Sequence, residues 1–142
     1  MKEKLRCAIR DDFPEHILER LESIAEAPFA VANGIEPVLV SRDEVRLRMP
    51  MEGKHNSMGV GHGAATFLIA DHTFAYASNM GQELQVAICC HVSYLKPARG
   101  PELTTLSRRV HDGRSSSLYE VCVFDGEDLV AVMQGTGHKL KA

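Results

Sequence analysis

The sequence predicts an α+β fold in which one long apolar helix lies against a single antiparallel sheet. Three observations carry this. Between Gly63 and Ala77 the chain is almost wholly small or apolar. After Gly81 the texture turns to β-forming residues and stays there. The later strand candidates are joined by Asp112–Gly113 and Asp125–Gly126, dipeptides that favour tight hairpins. No repeat, low-complexity segment or long linker interrupts the 142 residues, so one domain over 1–142 is expected.

Residues 1–26 form an N-terminal segment whose second half, DDFPEHILERLESIAE, puts Ile17, Leu18, Leu21 and Ile24 on one stripe at helical spacing. Asp11 and Asp12 precede Pro14, which suits a first helical turn. This amphipathic helix is expected to pack on the protein's own sheet. Two short strand candidates follow in VANGIEPVLVSRDEVRLRMP, joined at Ser41–Glu44. Val45, Leu47 and Met49 alternate there with Arg46 and Arg48, the period of a half-buried strand. A glycine-rich loop, EGKHNSMGVGHG, then leads into a helix expected from His62 to Asn79, about 27 Å long. Being apolar almost all round, it should be a buried helix. Beyond it, LQVAICCHVSYL reads as a strand broken by Lys96–Pro97, and residues 102–111, 115–125 and 128–138 as three more strands of one meander.

The composition is that of an ordinary soluble protein, with 44% hydrophobic residues, 25% charged residues and a formal net charge of −3. That balance argues against nucleic acid as a partner, since nucleic-acid-binding domains are usually strongly basic. No apolar run reaches the ~20 residues of a membrane-spanning helix. The start, MKEKLRCAIRDDF, has charges where a signal peptide carries its apolar stretch, so a cytoplasmic address is expected. Cys7, Cys89, Cys90 and Cys122 fit no CxxC or zinc-like spacing and are expected to be reduced, partly buried thiols.

The apolar helix contains one anomaly. Asp71 has Phe67, Leu68, Phe74 and Ala75 three and four residues away on its own face, and none of them can pair with it. A lone buried carboxylate costs several kcal/mol or takes up a proton. It is either a structural group bonded to another element's backbone or a working carboxylate with a raised pKa. The preceding loop adds a second clue. Gly59, Gly61 and Gly63 permit close approach of the backbone to a ligand. The first N–H groups of the helix, at Gly63 and Ala64, have no partner within it and can hold a developing oxyanion. GVGHG lacks the lysine and Ser/Thr of a phosphate-binding loop.

HNSMGVGHGAATFLIADHTFAYASN resembles the signature of hotdog-fold thioesterases of the phenylacetate-pathway, PaaI-like type. The likeness extends downstream through VSYLKPARGPEL and HDGRSSSLYEVCVFDGEDLVAVMQGT, and upstream through NGIEPVLVSRDEVRLRMP, so it covers nearly the whole chain. It implies an antiparallel sheet wrapped around a long central helix, hydrolysis of an acyl-CoA thioester, and no cofactor. By motif position it makes Asp71 the catalytic nucleophile or general base. Asn56 becomes the residue that orients water or thioester, and Gly63 the backbone donor to the thioester oxygen, with His62 in the same turn. Ala64 stands where the motif has a second glycine. Ala87 stands where relatives often carry Ser or Thr to place the water.

Gly63 and Asp71 lie eight residues apart, about 12 Å along one helix, whereas donor and base must both reach one carbonyl within about 3 Å. One helix cannot supply both. Two antiparallel helices across a two-fold axis can, and the resemblance likewise implies a symmetric dimer, with family members often pairing into tetramers. Coenzyme A phosphates need cations, and Arg99 and Arg114 are the candidate contacts. A metal site among His55, His62, His72 and Asp71 lacks usable spacing. His72 is expected to be a bonded interior or interface histidine. Two rival readings are a hotdog enoyl-CoA hydratase or dehydratase using His62, and a non-catalytic acyl-CoA-binding module with no need of Asp71.

Overall fold

The computed structural model of the chain describes residues 1–141. In order, its elements are α1 (Lys2–Ala8), α2 (Glu15–Ala25), α3 (Pro28–Ala32), β1 (Glu36–Val40), β2 (Val45–Pro50), α4 (Gly63–Ser78), β3 (Leu84–Tyr94), β4 (Glu102–Asp112), β5 (Ser116–Asp125) and β6 (Asp128–Leu140). The strands form one antiparallel sheet in the order β1-β2-β4-β5-β6-β3, and α4 packs against β2 to β6.

The pleat explains the packing. On β5, Ser117, Tyr119, Val121 and Val123 alternate inward and are buried, and Val121 and Val123 sit opposite Met133 and Ala131 of β6. Ile69, Ala70 and Phe74 of α4 meet this face, together with Leu47 and Met49 of β2 and Leu103 of β4. Gly135 seats the helix. A Cβ there would lie 2.8 Å from the Phe74 ring, so only glycine leaves room for it on β6. Where β2 diverges from β4, side chains replace the lost ladder bonds. Leu47 N–H donates to Thr105 Oγ1 (3.1 Å) and Val45 N–H to Ser107 Oγ (2.9 Å), so no buried amide is orphaned there. The β5–β6 hairpin closes in two residues, with Gly126 first at φ +61°, as such a turn requires.

Several expectations need correction. The strands after α4 do not form a simple meander: β4, β5 and β6 do, but β3 lies beyond β6 at the sheet edge and β4 pairs with β2. The sequence order is the same in both arrangements, and it is pairing between distant strands, β3 with β6 and β2 with β4, that separates them. The amphipathic helix starts at Glu15, after Pro14, not at Asp11. Helices α1 and α3 were not anticipated, being seven and five residues long, too short to show a period. Burial of Leu5 and Ala8 holds α1, with Lys2 and Arg6 paired to Glu22 and Lys4 to Glu36. Nor are all the thiols partly buried: Cys7 and Cys89 are exposed and Cys90 and Cys122 half-buried, all four free.

Candidate active site

The loop before α4 is built on Asn56. Its Oδ1 accepts from Met58 N–H (2.9 Å) and Val60 N–H (3.2 Å), its own N–H donates to Val60 O (2.8 Å), and its carbonyl accepts from Gly59 N–H (3.0 Å). Gly59, at φ +75°, makes the tight return possible. Gly61 N–H donates to Ala98 O (2.7 Å) and His62 N–H to Lys54 O (2.9 Å), which fixes where α4 begins. With its acceptor oxygen committed to the loop, Asn56 keeps the amide Nδ2 as donor: among the described residues nothing accepts from it.

His62 is the N-cap of α4, and its Nδ1 accepts from Ala64 N–H at 3.0 Å. That bond is one that a bare Nδ1 accepts, which leaves Nε2 as the ring's donor. Ala65 and Thr66 N–H both donate to His62 O. Gly63 N–H is the one first-turn donor left without a partner among the described residues, at the positive end of the helix. The Tyr94 hydroxyl donates to Gly63 O (3.1 Å) and steadies the same peptide. Sequence reasoning did not single out Tyr94; it is the last residue of β3, half-exposed and facing the helix start.

Asp71 lies two turns on from Ala64. It is half-buried, and among the described residues no hydrogen bond or ion pair reaches it. Desolvation raises its pKa above the ordinary 3.8. Half-burial is less than the interior position expected, because one face of α4 is uncovered: Phe67, Leu68 and Ala75 are half-buried and Ala64 is exposed. His72, on the neighbouring side, stacks edge-on against Tyr76 at 5.3 Å, and burial lowers its pKa to about 4. An aromatic contact therefore takes the place of the expected hydrogen bond.

The two halves of the candidate machinery open into different clefts. Asn56 and Gly63 line a cleft of about 330 Å³ with Thr66 and Tyr94. Asp71 lines another, of about 470 Å³, with His55, His62, Ala64, Phe67 and Leu68. Arg99 and Arg114 are also apart. Arg99 sits beside the start of β4, its N–H donating to Asp125 Oδ2 (2.9 Å), and Arg114 lies in the β4–β5 turn. The length of β4, about 35 Å, separates them. Ala87 is exposed on β3 opposite Gly137. Among the described residues no group of three or more His, Cys, Asp or Glu side chains is placed to hold a metal ion.

A six-stranded antiparallel sheet around one long helix, with a helix-terminal donor and a mid-helix carboxylate, is the hotdog arrangement, and the chain belongs to the thioesterase superfamily, whose sequence profile matches residues 58–132. Among individual relatives, the acyl-coenzyme A thioesterase PaaI of Escherichia coli is 31% identical over 81 residues, 56% of this chain and 58% of that protein. The aligned part thus spans little more than half of that relative. A putative esterase of Deinococcus radiodurans is 30% identical over 112 residues, 76% of each chain. The solved structure of the E. coli PaaI protein, from the phenylacetic acid degradation operon, superposes with a TM-score of 0.84 over 92% of this chain and 98% of that one. At 23% identity that match speaks for the fold. The PaaI-like resemblance read from residues 55–79 therefore stands.

Proposed function

We propose that the protein is a cytoplasmic acyl-CoA thioesterase that works as a symmetric dimer with two shared sites, using Asp71 and no cofactor. The observation that carries this is the separation of Asp71 from the Gly63 donor into different clefts of one chain. A second copy, its α4 antiparallel to the first, brings Gly63 of the partner subunit to Asp71. Two surfaces favour such pairing. The face of α4 carrying Asp71 is apolar and uncovered. Strand β3 is a long bare edge, with Ile88 62% exposed and Leu84 and Val86 beside it. The opposite edge is protected, since Arg10 N–H donates to Val40 O (3.0 Å) where the chain crosses β1.

In this site Asp71 takes a proton from water as the oxygen adds to the thioester carbonyl. The oxyanion that forms accepts from Gly63 N–H, reinforced by the helix terminus, and Asn56 Nδ2 orients the water or the thioester. Collapse breaks the carbon–sulfur bond, Asp71 passes its proton to the departing coenzyme A sulfur and is again a carboxylate, and the acid product loses its own proton to solvent. Should Asp71 attack directly, an acyl anhydride forms first and water then cleaves it. Arg99 lies at the Asn56–Gly63 end and is the better placed of the two arginines for a coenzyme A phosphate there. Arg114 reaches a phosphate only from the far end of the sheet. Nothing in this site requires more than two chains.

A screen of acyl-CoA thioesters read by free-thiol release tests the reading. Turnover is expected on at least one thioester and should vanish with Asp71→Asn. No turnover on any of them, or turnover unchanged in that variant, would overturn it.

A further inference from the structure

The cleft that holds Asp71 has one wall outside the hotdog core. It is Phe29, on the short helix α3, which together with Phe67 and Leu68 lines the cleft. Helix α3 is anchored and shaped as a rigid bracket. Pro28 sets its first φ, Ala30 is buried to 3% exposure, and Asn33 Nδ2 donates to Phe29 O (2.9 Å). Gly34 ends it at φ +74°, pressed so close to Pro50 that a Cβ would lie 2.9 Å from the proline ring. In the single chain this bracket leaves Phe29 70% exposed at the rim of the cleft. An aromatic ring fixed outward on a rigid turn and facing a carboxylate cleft has an apolar surface ready for a ligand to cover.

The geometry points to Phe29 as a specificity-determining residue: it forms the outer wall of the acyl pocket and selects thioesters whose acyl group is long or broad enough to reach it. This rests on the thioesterase reading and adds the part of the substrate that the cleft reads. In the proposed dimer the Ala64 end of α4 belongs to the other site, so the acyl side of this one is the flank beside Asp71, where Leu68, Phe67 and Phe29 supply apolar surface. Lys54, His55 and His62 gather at the loop end. A short acyl group held at Asp71 leaves Phe29 wet. A longer chain or an aryl group covers it and gains the burial.

The test compares kcat/KM of wild type, Phe29→Ala, Phe29→Leu and Val31→Ala on acetyl-, butyryl-, octanoyl- and phenylacetyl-CoA. Val31 shares the turn and is 45% exposed but does not line the cleft. The ratio of octanoyl to acetyl kcat/KM should fall about tenfold in Phe29→Ala, mainly through KM, and recover in part in Phe29→Leu. In Val31→Ala it should stay at the wild-type value. An equal loss on all four thioesters means Phe29 touches the shared coenzyme A arm and overturns the proposal. An unchanged ratio overturns it too. Should wild type hydrolyse none of the four while hydrolysing other acyl-CoAs, the wall is wrong and the reaction right. Should it hydrolyse no acyl-CoA at all, the thioesterase reading itself falls, and the wall with it.

Discussion

Replacing Asp71 by Asn keeps shape and volume and removes one charge, so its effects on activity and on stability can be read separately. The wild-type carboxylate is half-buried and unpartnered, and desolvation alone raises its pKa from 3.8. The sign follows from linkage. A carboxyl that binds its proton more tightly folded than unfolded stabilises the fold only while protonated, and that contribution is lost as pH rises from 3.8 through the raised value. At pH 7 the ionised form therefore carries a constant cost, which Asn does not pay. The expected result is a melting temperature equal to wild type or up to about 3 °C higher at pH 7, with the gap closing toward pH 4. Activity should move the other way, falling about a hundredfold or more, as for loss of a general base. Wild-type kcat/KM should fall on acidification with a midpoint above 3.8. Lys54, His55 and His62 line the same cleft, and the Cys90 thiol on β3 is raised by burial and by the Asp71 charge. Differential scanning calorimetry from pH 4 to 8 and a thiol-release assay over the same range check both arms. A drop of 5 °C or more in the variant at pH 7 would show that Asp71 holds the fold together, and the reasoning would fail.

Mixed dimers probe the sharing of sites. Proline is tolerated at the first position of a helix, and His62 already has the extended ψ of 135° that a following proline demands, so Gly63→Pro should fold while losing its N–H. Mixing it with Asp71→Asn should restore one working site per heterodimer; after confirmed subunit exchange, activity no greater than the two parents together would exclude shared sites. His62→Ala removes the acceptor for Ala64 N–H, so a loss of about 1 kcal/mol in urea unfolding is expected, and an unchanged midpoint would show the cap to be idle. Gly135→Ala drives a methyl to 2.8 Å from the Phe74 ring and should cost about 1–3 kcal/mol, with Phe74→Leu in the same chain recovering much of it. If Phe74→Leu gives no recovery, the contact is not what requires glycine at 135.

The opening chemistry was legible in the sequence because it is local. A lone aspartate in an apolar helix, a glycine-rich turn in front of it and strands punctuated by Asp-Gly are written in neighbouring residues, and the motif from His55 to Asn79 adds the resemblance. The strand boundaries came out close to the observed ones for the same reason. The eight-residue spacing of Gly63 and Asp71 was legible too, and the proposal of shared sites starts from it. What depends on contacts between distant segments was not legible. The place of β3 at the sheet edge is decided by its ten-residue ladder with β6, which begins forty-odd residues later in the chain. Tyr94 steadies Gly63 across 31 residues. The exposure of one face of α4 depends on what the sheet fails to cover, which no periodicity records in a helix apolar on every side. Phe29 could not be placed at all from the sequence, because five residues show no period and it is the anchoring of α3 by Ala30 and Gly34 that sets it on the cleft that Asp71 also lines.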